Sequence, residues 1–137
     1  MSKEIEQLTK LQEELGYIKG EISTVAMLGL VGEAGEVLAE TNVATVNEDS
    51  AYAIGQAIKG CSFLEIQKKE IRKGATHTIL SLKKDQEESF DKELADAFYY
   101  LNILATNRGL TIDDLAQMAH DKVRSKQAAG GSSEDKK

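Results

Sequence analysis

Apolar residues recur at helical spacing along most of the chain. Ile5, Leu8, Leu11, Ile18 and Ile22 begin the pattern, with Ser2 placed as an N-cap and Gly16 and Gly20 separating a first helix from a second that runs to about Glu40. From Thr41 to Ser50 the sequence turns polar and β-branched, which predicts a connection ending in a cap before Ala51. Ala53, Ala57, Ile58, Cys61, Phe63, Leu64 and Ile71 give a weaker pattern interrupted by Gly55 and Gly60, so this segment reads as one helix or as two short ones. Gly74 to Lys84 reads as loop or short extended chain. A helix then begins near Asp85 or Gln86, where Phe90, Leu94, Ala97, Phe98, Leu101, Leu104 and Ala105 form the clearest 3.6-residue stripe in the sequence. Gly109 sits at its C′ position. Thr111 and Asp114 resemble a capping box opening a last helix through roughly Ser125, and Gln127 to Lys137 reads as a disordered tail.

Composition sharpens this into a fold class. The chain has 137 residues, 41% hydrophobic, with no proline, no tryptophan and 5% aromatics. That balance favours an all-α fold, with one domain over 1–126. A formal net charge of −6 argues against a general nucleic-acid partner, because phosphate backbones are gripped by clustered Lys and Arg. Cys61 is the sole cysteine, which excludes an intrachain disulfide and reads as a buried thiol in a reducing compartment. Met1 to Leu15 is charged and amphipathic, without the apolar centre of a signal peptide, and no stretch approaches the roughly 18 apolar residues of a membrane span. A cytoplasmic protein without a membrane partner is expected.

The candidate chemistry lies in carboxylates set in apolar surroundings. Val25 to Ala39 reads VAMLGLVGEAGEVLA, in which Glu33 and Glu36 are the only charges; Leu94 to Ala105 reads LADAFYYLNILA, with Asp96 as the only charge and Glu93 just before it. Residues three apart project from one side of a helix, so each pair forms a two-pronged claw. Helical placement puts Glu93 and Asp96 beside the apolar stripe, continued by Tyr100 and Ile103, so partial burial is expected. Buried carboxylates side by side need a cation, and no Lys or Arg lies in either run. A hard divalent ion with oxygen ligands, Mg²⁺ above all, meets that need. The plainer reading of any one Glu pair is a solvated helix face; Glu88 and Asp91, surrounded by polar residues, are read that way. Gly29, Gly32 and Gly35 punctuate the first claw, each costing about 1 kcal/mol in a helix interior relative to Ala, which fits a helix or a ligand approaching the backbone closely.

GLVGEAGEVLAE and ELADAFYYLNILATNRGLTIDDL together resemble the MazG-like, all-α nucleotide pyrophosphohydrolases, marked by a Glu-x-x-Glu helix followed by a Glu-x-x-Asp helix. The resemblance spans about Met27 to Glu40 and Glu93 to Lys126. It implies Mg²⁺ held by Glu33, Glu36, Glu93 and Asp96, a four-helix bundle core completed in a homodimer or homotetramer, and cleavage of nucleoside triphosphates between the α and β phosphates. Glu33 and Glu36 would also be the catalytic carboxylates orienting or deprotonating water. Phosphates also need cations: Lys68, Lys69, Arg72 and Lys73 cluster between the claws, and Lys122 and Arg124 lie on the last helix, with Lys122 falling where the family places a C-terminal lysine. Solvated surface charge is the plainer reading of each. The long stretch from Val37 to Lys92 and Ala119, where many members carry asparagine, are departures that leave the base and sugar open. A di-iron bundle would need Glu-x-x-His pairs, and His77 and His120 follow Gly74 and Gln117 instead. The alternative from another class is a noncatalytic helical oligomer that binds nucleotides or regulates without turnover.

Overall fold

Five α-helices and one 3₁₀ turn make up the regular structure of residues 1–130, the part of the chain described by the computed structural model; no strand occurs among them. The helices are α1 (Lys3–Glu14), α2 (Thr24–Ala39), α3 (Glu48–Arg72), α4 (Glu87–Asn107) and α5 (Ile112–Ala128), with the 3₁₀ turn at Lys84–Gln86 leading into α4. The fold is all-α, as the composition and periodicity require. Among the described residues, no helix is long and apolar enough to cross a membrane.

Local chemistry explains where most helices start and stop. Ser2, Ser23, Asn47 and Thr111 cap α1, α2, α3 and α5, each side chain accepting a hydrogen bond from the backbone N–H three residues on. Thr111 and Asp114 complete a reciprocal capping box, with Thr111 N–H donating to Asp114 Oδ2 at 2.8 Å and Asp114 N–H to Thr111 Oγ1 at 3.0 Å. At the end of α4, Gly109 at φ 75° lets its N–H reach Thr106 O while Leu110 N–H reaches Ala105 O, both at 2.9 Å. The same paired closure ends α3 at Gly74 and Ala75.

The sequence reading left one helix or two open around Gly55 and Gly60 and ended the last helix near Ser125. Gly55 and Gly60 do not split α3, which is a single helix of 25 residues starting at Glu48. Its cap, Glu48 and Asp49 in the first turn and Lys69 and Arg72 in the last complement the helix dipole; packing on α2 outweighs the propensity cost of two glycines. Helix α5 continues to Ala128, so Gln127 and Ala128 are helical, and residues 131–137 of the expected tail lie outside the described part.

The helices gather into two units. One is formed by Met1–Glu21 and the chain from Ser81 onward: α1 packs on α5, and α4 touches α5 and the 3₁₀ turn. Leu11, 1% exposed, is the most deeply buried side chain here, with Ala105 and Ala116 also buried. Arg124 of α5 donates to Glu14 of α1 at 3.0 Å, tying those helices at their surface. The other unit, Ile22–Leu80, is the antiparallel pair α2 and α3 with its connections. Leu80 N–H donates to Thr24 Oγ1 at 2.9 Å and fastens the segment after α3 to the start of α2.

Candidate metal centre

The α2 glycines set the geometry of this centre. Gly29, Gly32 and Gly35 form a stripe that receives, in antiparallel order, Lys68, Glu65 and Cys61 of α3. An added Cβ at Gly32 would lie 2.8 Å from both Cγ and Cδ of Glu65, and one at Gly35 would collide with the Cβ and Sγ of Cys61. Absence of side chains thus lets α3 approach the α2 backbone and carries Glu65 into the interface. The close approach expected of these glycines is made by a helix. Cys61 is a free, half-buried thiol packed into that contact.

Glu33 and Glu36 follow Gly32 and Gly35 in sequence, so they project from the rim of the same interface, half-buried. Each offers a carboxylate oxygen to a group completed by Glu65, the three oxygens lying within 4.8 Å of one another. Glu65 is only 5% exposed and is ion-paired with the equally buried Lys68. Three carboxylate oxygens gathered this closely make a donor set of the kind that suits a hard divalent cation, two of the three arms being half-exposed. The two α2 carboxylates expected to share one side of the helix do lie close together, and Glu65 of α3 joins them.

Glu93 and Asp96 belong to the other unit, one turn apart on α4, and both are exposed. The burial expected for them is not found. The apolar stripe beside them is uncovered, with Leu94 43%, Phe98 51% and Leu101 47% exposed, so nothing within the unit draws the adjacent acids out of water. Glu93 borders a hollow of about 430 Å³ lined also by Leu82, Asp85, Gln86, Ser89 and Phe90. Glu88 and Asp91 are exposed, and Glu88 pairs with Lys92 at 3.2 Å, which makes them the solvated face expected.

The basic candidates separate. Lys122 and Lys73 are exposed and Lys69 is half-buried. Arg124 is engaged by Glu14 and by Gln127, each at 3.0 Å, the contact with Glu14 tying α5 to α1. Lys68, grouped with the surface cluster by sequence, is instead buried against α2. His120 Nδ1 lies 3.1 Å from Asp121 Oδ1, and Gln117 donates to the same oxygen at 2.9 Å. These contacts, that of His120 foremost, hold the Asp121 carboxyl below its ordinary value.

Glu65 was not singled out by sequence, and Lys68 was read there only as one of a basic surface cluster. Their one signal is the three-residue glycine spacing on α2, which demands a close neighbour without naming it. No family model, curated protein or solved structure matches the chain.

Proposed function

We propose that the chain is a Mg²⁺-dependent pyrophosphohydrolase of the MazG-like kind, acting in the cytoplasm on nucleoside triphosphates, dNTPs or modified nucleotides among them. Its products are the nucleoside monophosphate and pyrophosphate, and its bundle core is completed by further copies in a homodimer or homotetramer. The observation that carries this reading is the convergence of Glu33, Glu36 and Glu65 within 4.8 Å; the paired Glu-x-x-Glu and Glu-x-x-Asp motifs support it.

The chemistry a bound divalent cation would supply is offset of triphosphate charge, polarisation of the α-phosphate and a lowered pKa for a water molecule. Glu33, Glu36 and Glu65 would hold the cation on α2 and α3, and Glu93 and Asp96 form a second candidate carboxylate pair on α4. One carboxylate of the α2 claw orients the attacking water and accepts its proton. The water oxygen bonds to the α-phosphorus as the bridge to the β-phosphate breaks, and pyrophosphate leaves. Lys69 and Lys73 at the end of α3, and separately Lys122 and Arg124 on α5, are the candidate cations for phosphate oxygens.

The test is incubation of the purified chain with a panel of canonical and modified nucleoside triphosphates, with and without Mg²⁺, measuring pyrophosphate and monophosphate. Mg²⁺-dependent release of both is expected, falling by roughly 10²–10⁴-fold in Glu36→Gln. Folded protein that is silent across the panel would overturn the reaction in favour of a noncatalytic nucleotide-binding module.

A further inference from the structure

The proposed reaction gives Glu65 a role but leaves Lys68, its buried partner, without one. Both are 5% exposed, and each is seated on a glycine of α2. Glu65 lies over Gly32, and Lys68 Cδ stands 3.4 Å from where a Cβ of Gly29 would be, its Nζ 3.9 Å away. The stems of both side chains are thereby located by helix packing, independently of the ion pair between their tips. A carboxylate removed from water is costly unless a positive charge accompanies it, and Lys68 is the cation placed on Glu65. Glu65 also belongs to the three-carboxylate group with Glu33 and Glu36.

We propose that Lys68 is a built-in counter-ion of the carboxylate cluster: its ammonium allows α2 and α3 to close over Glu65 before any divalent cation arrives, and it then opposes that cation. The inference rests on reading Glu33, Glu36 and Glu65 as cation ligands. An ammonium next to a ligand carboxylate repels an incoming ion and occupies one of its donor oxygens. Gly32 keeps Glu65 seated when the ammonium is gone, so removing the charge relieves the repulsion of an incoming cation without displacing the ligand. Lys68 is in this sense a positioning residue that trades metal affinity for stability of the cation-free protein.

The experiment uses the full chain, with Mn²⁺ as probe, reading its affinity by calorimetry or electron paramagnetic resonance and thermal unfolding in chelator and in saturating Mn²⁺. Lys68→Met, which keeps the stem and removes the charge, is expected to bind Mn²⁺ at least about tenfold more tightly. It should unfold at lower temperature than wild type in chelator, with the deficit closing in Mn²⁺. Lys68→Arg should resemble wild type in both readouts. Glu65→Gln combined with Lys68→Met should recover stability in chelator and lose the tight binding, which keeps the inference testable where the single variant folds only with Mn²⁺. Unchanged or weaker Mn²⁺ binding by Lys68→Met overturns the counter-ion role while leaving a metal centre standing. Absence of Mn²⁺ binding by wild type and variants alike overturns both. A chain that binds Mn²⁺, tightens in Lys68→Met and cleaves no nucleotide leaves this inference intact and removes only the reaction.

Discussion

Burial decides what a charged residue contributes here. Glu65 and Lys68 lie in the α2–α3 interface with 7% of each side chain exposed, whereas Glu14–Arg124 and Glu88–Lys92 pair on open surface. Removing one member of the buried pair leaves its partner charged and desolvated, so Glu65→Leu is expected to cost about 3–5 kcal/mol in urea unfolding. Glu14→Gln should cost under about 1 kcal/mol; equal effects would contradict the burial difference. Asp121 offers a quieter test. Its carboxyl is held below the ordinary range by the hydrogen bond to His120 and then by that to Gln117. A folded value below the unfolded one contributes stability that is present above the unfolded pKa and is lost as pH falls through the folded pKa. For so exposed a group the effect on stability is slight, and the titration itself is the readout. His120→Ala is expected to raise the Asp121 midpoint toward the usual carboxylate value in an NMR titration, and an unmoved midpoint would assign the shift elsewhere.

Among the elements, identical residues have opposite energetic meanings. Gly35 faces Cys61 so closely that a Cβ has no room, while at Gly60 of α3 the same addition meets nothing within 4 Å. Gly60→Ala should therefore stabilise by about 0.5–1 kcal/mol through helix propensity alone. Gly35→Ala forces α2 and α3 apart and should destabilise by about 1–3 kcal/mol despite the same propensity gain; adding Cys61→Gly should reduce that loss, as a double-mutant cycle in urea would show. The contrast also explains what the sequence disclosed. Caps and stops depend on residues within one turn, so Ser2, Gly109 and the Thr111–Asp114 box could be read directly. The unity of α3 could not, because it depends on packing against α2. Glu33 and Glu36 were legible as two acids in an apolar run, but the third arm of their cluster lies on another helix, with Glu65 separated from them by a polar connection and most of α3. Exposure of Glu93 and Asp96 was missed for a related reason: a helical wheel assumes that an apolar stripe is covered.

That stripe matters most at the scale of the whole molecule. Phe98, Leu101 and Leu104 of α4 are 51%, 47% and 53% exposed, and Leu94 extends the patch along the helix. Contiguous apolar surface of this kind marks an association site in a protein that stays in solution. A second copy of the chain is the occupant consistent with the proposed bundle, and the formal charge of −6 sets how association should respond to salt. Two like-charged copies repel, and added salt screens that repulsion without weakening apolar contact. Sedimentation equilibrium should therefore show self-association that strengthens, or at least persists, from low to moderate ionic strength; an interface held by ion pairs would weaken. Leu101→Asp introduces a charge into the middle of the stripe, away from Glu93 and Asp96, and is expected to shift the equilibrium toward monomer by at least about tenfold, since an unpaired charge in an interface costs a few kcal/mol. A monomeric wild type throughout the concentration range, or a Leu101→Asp variant that associates as wild type does, would place the oligomer contact elsewhere or remove it.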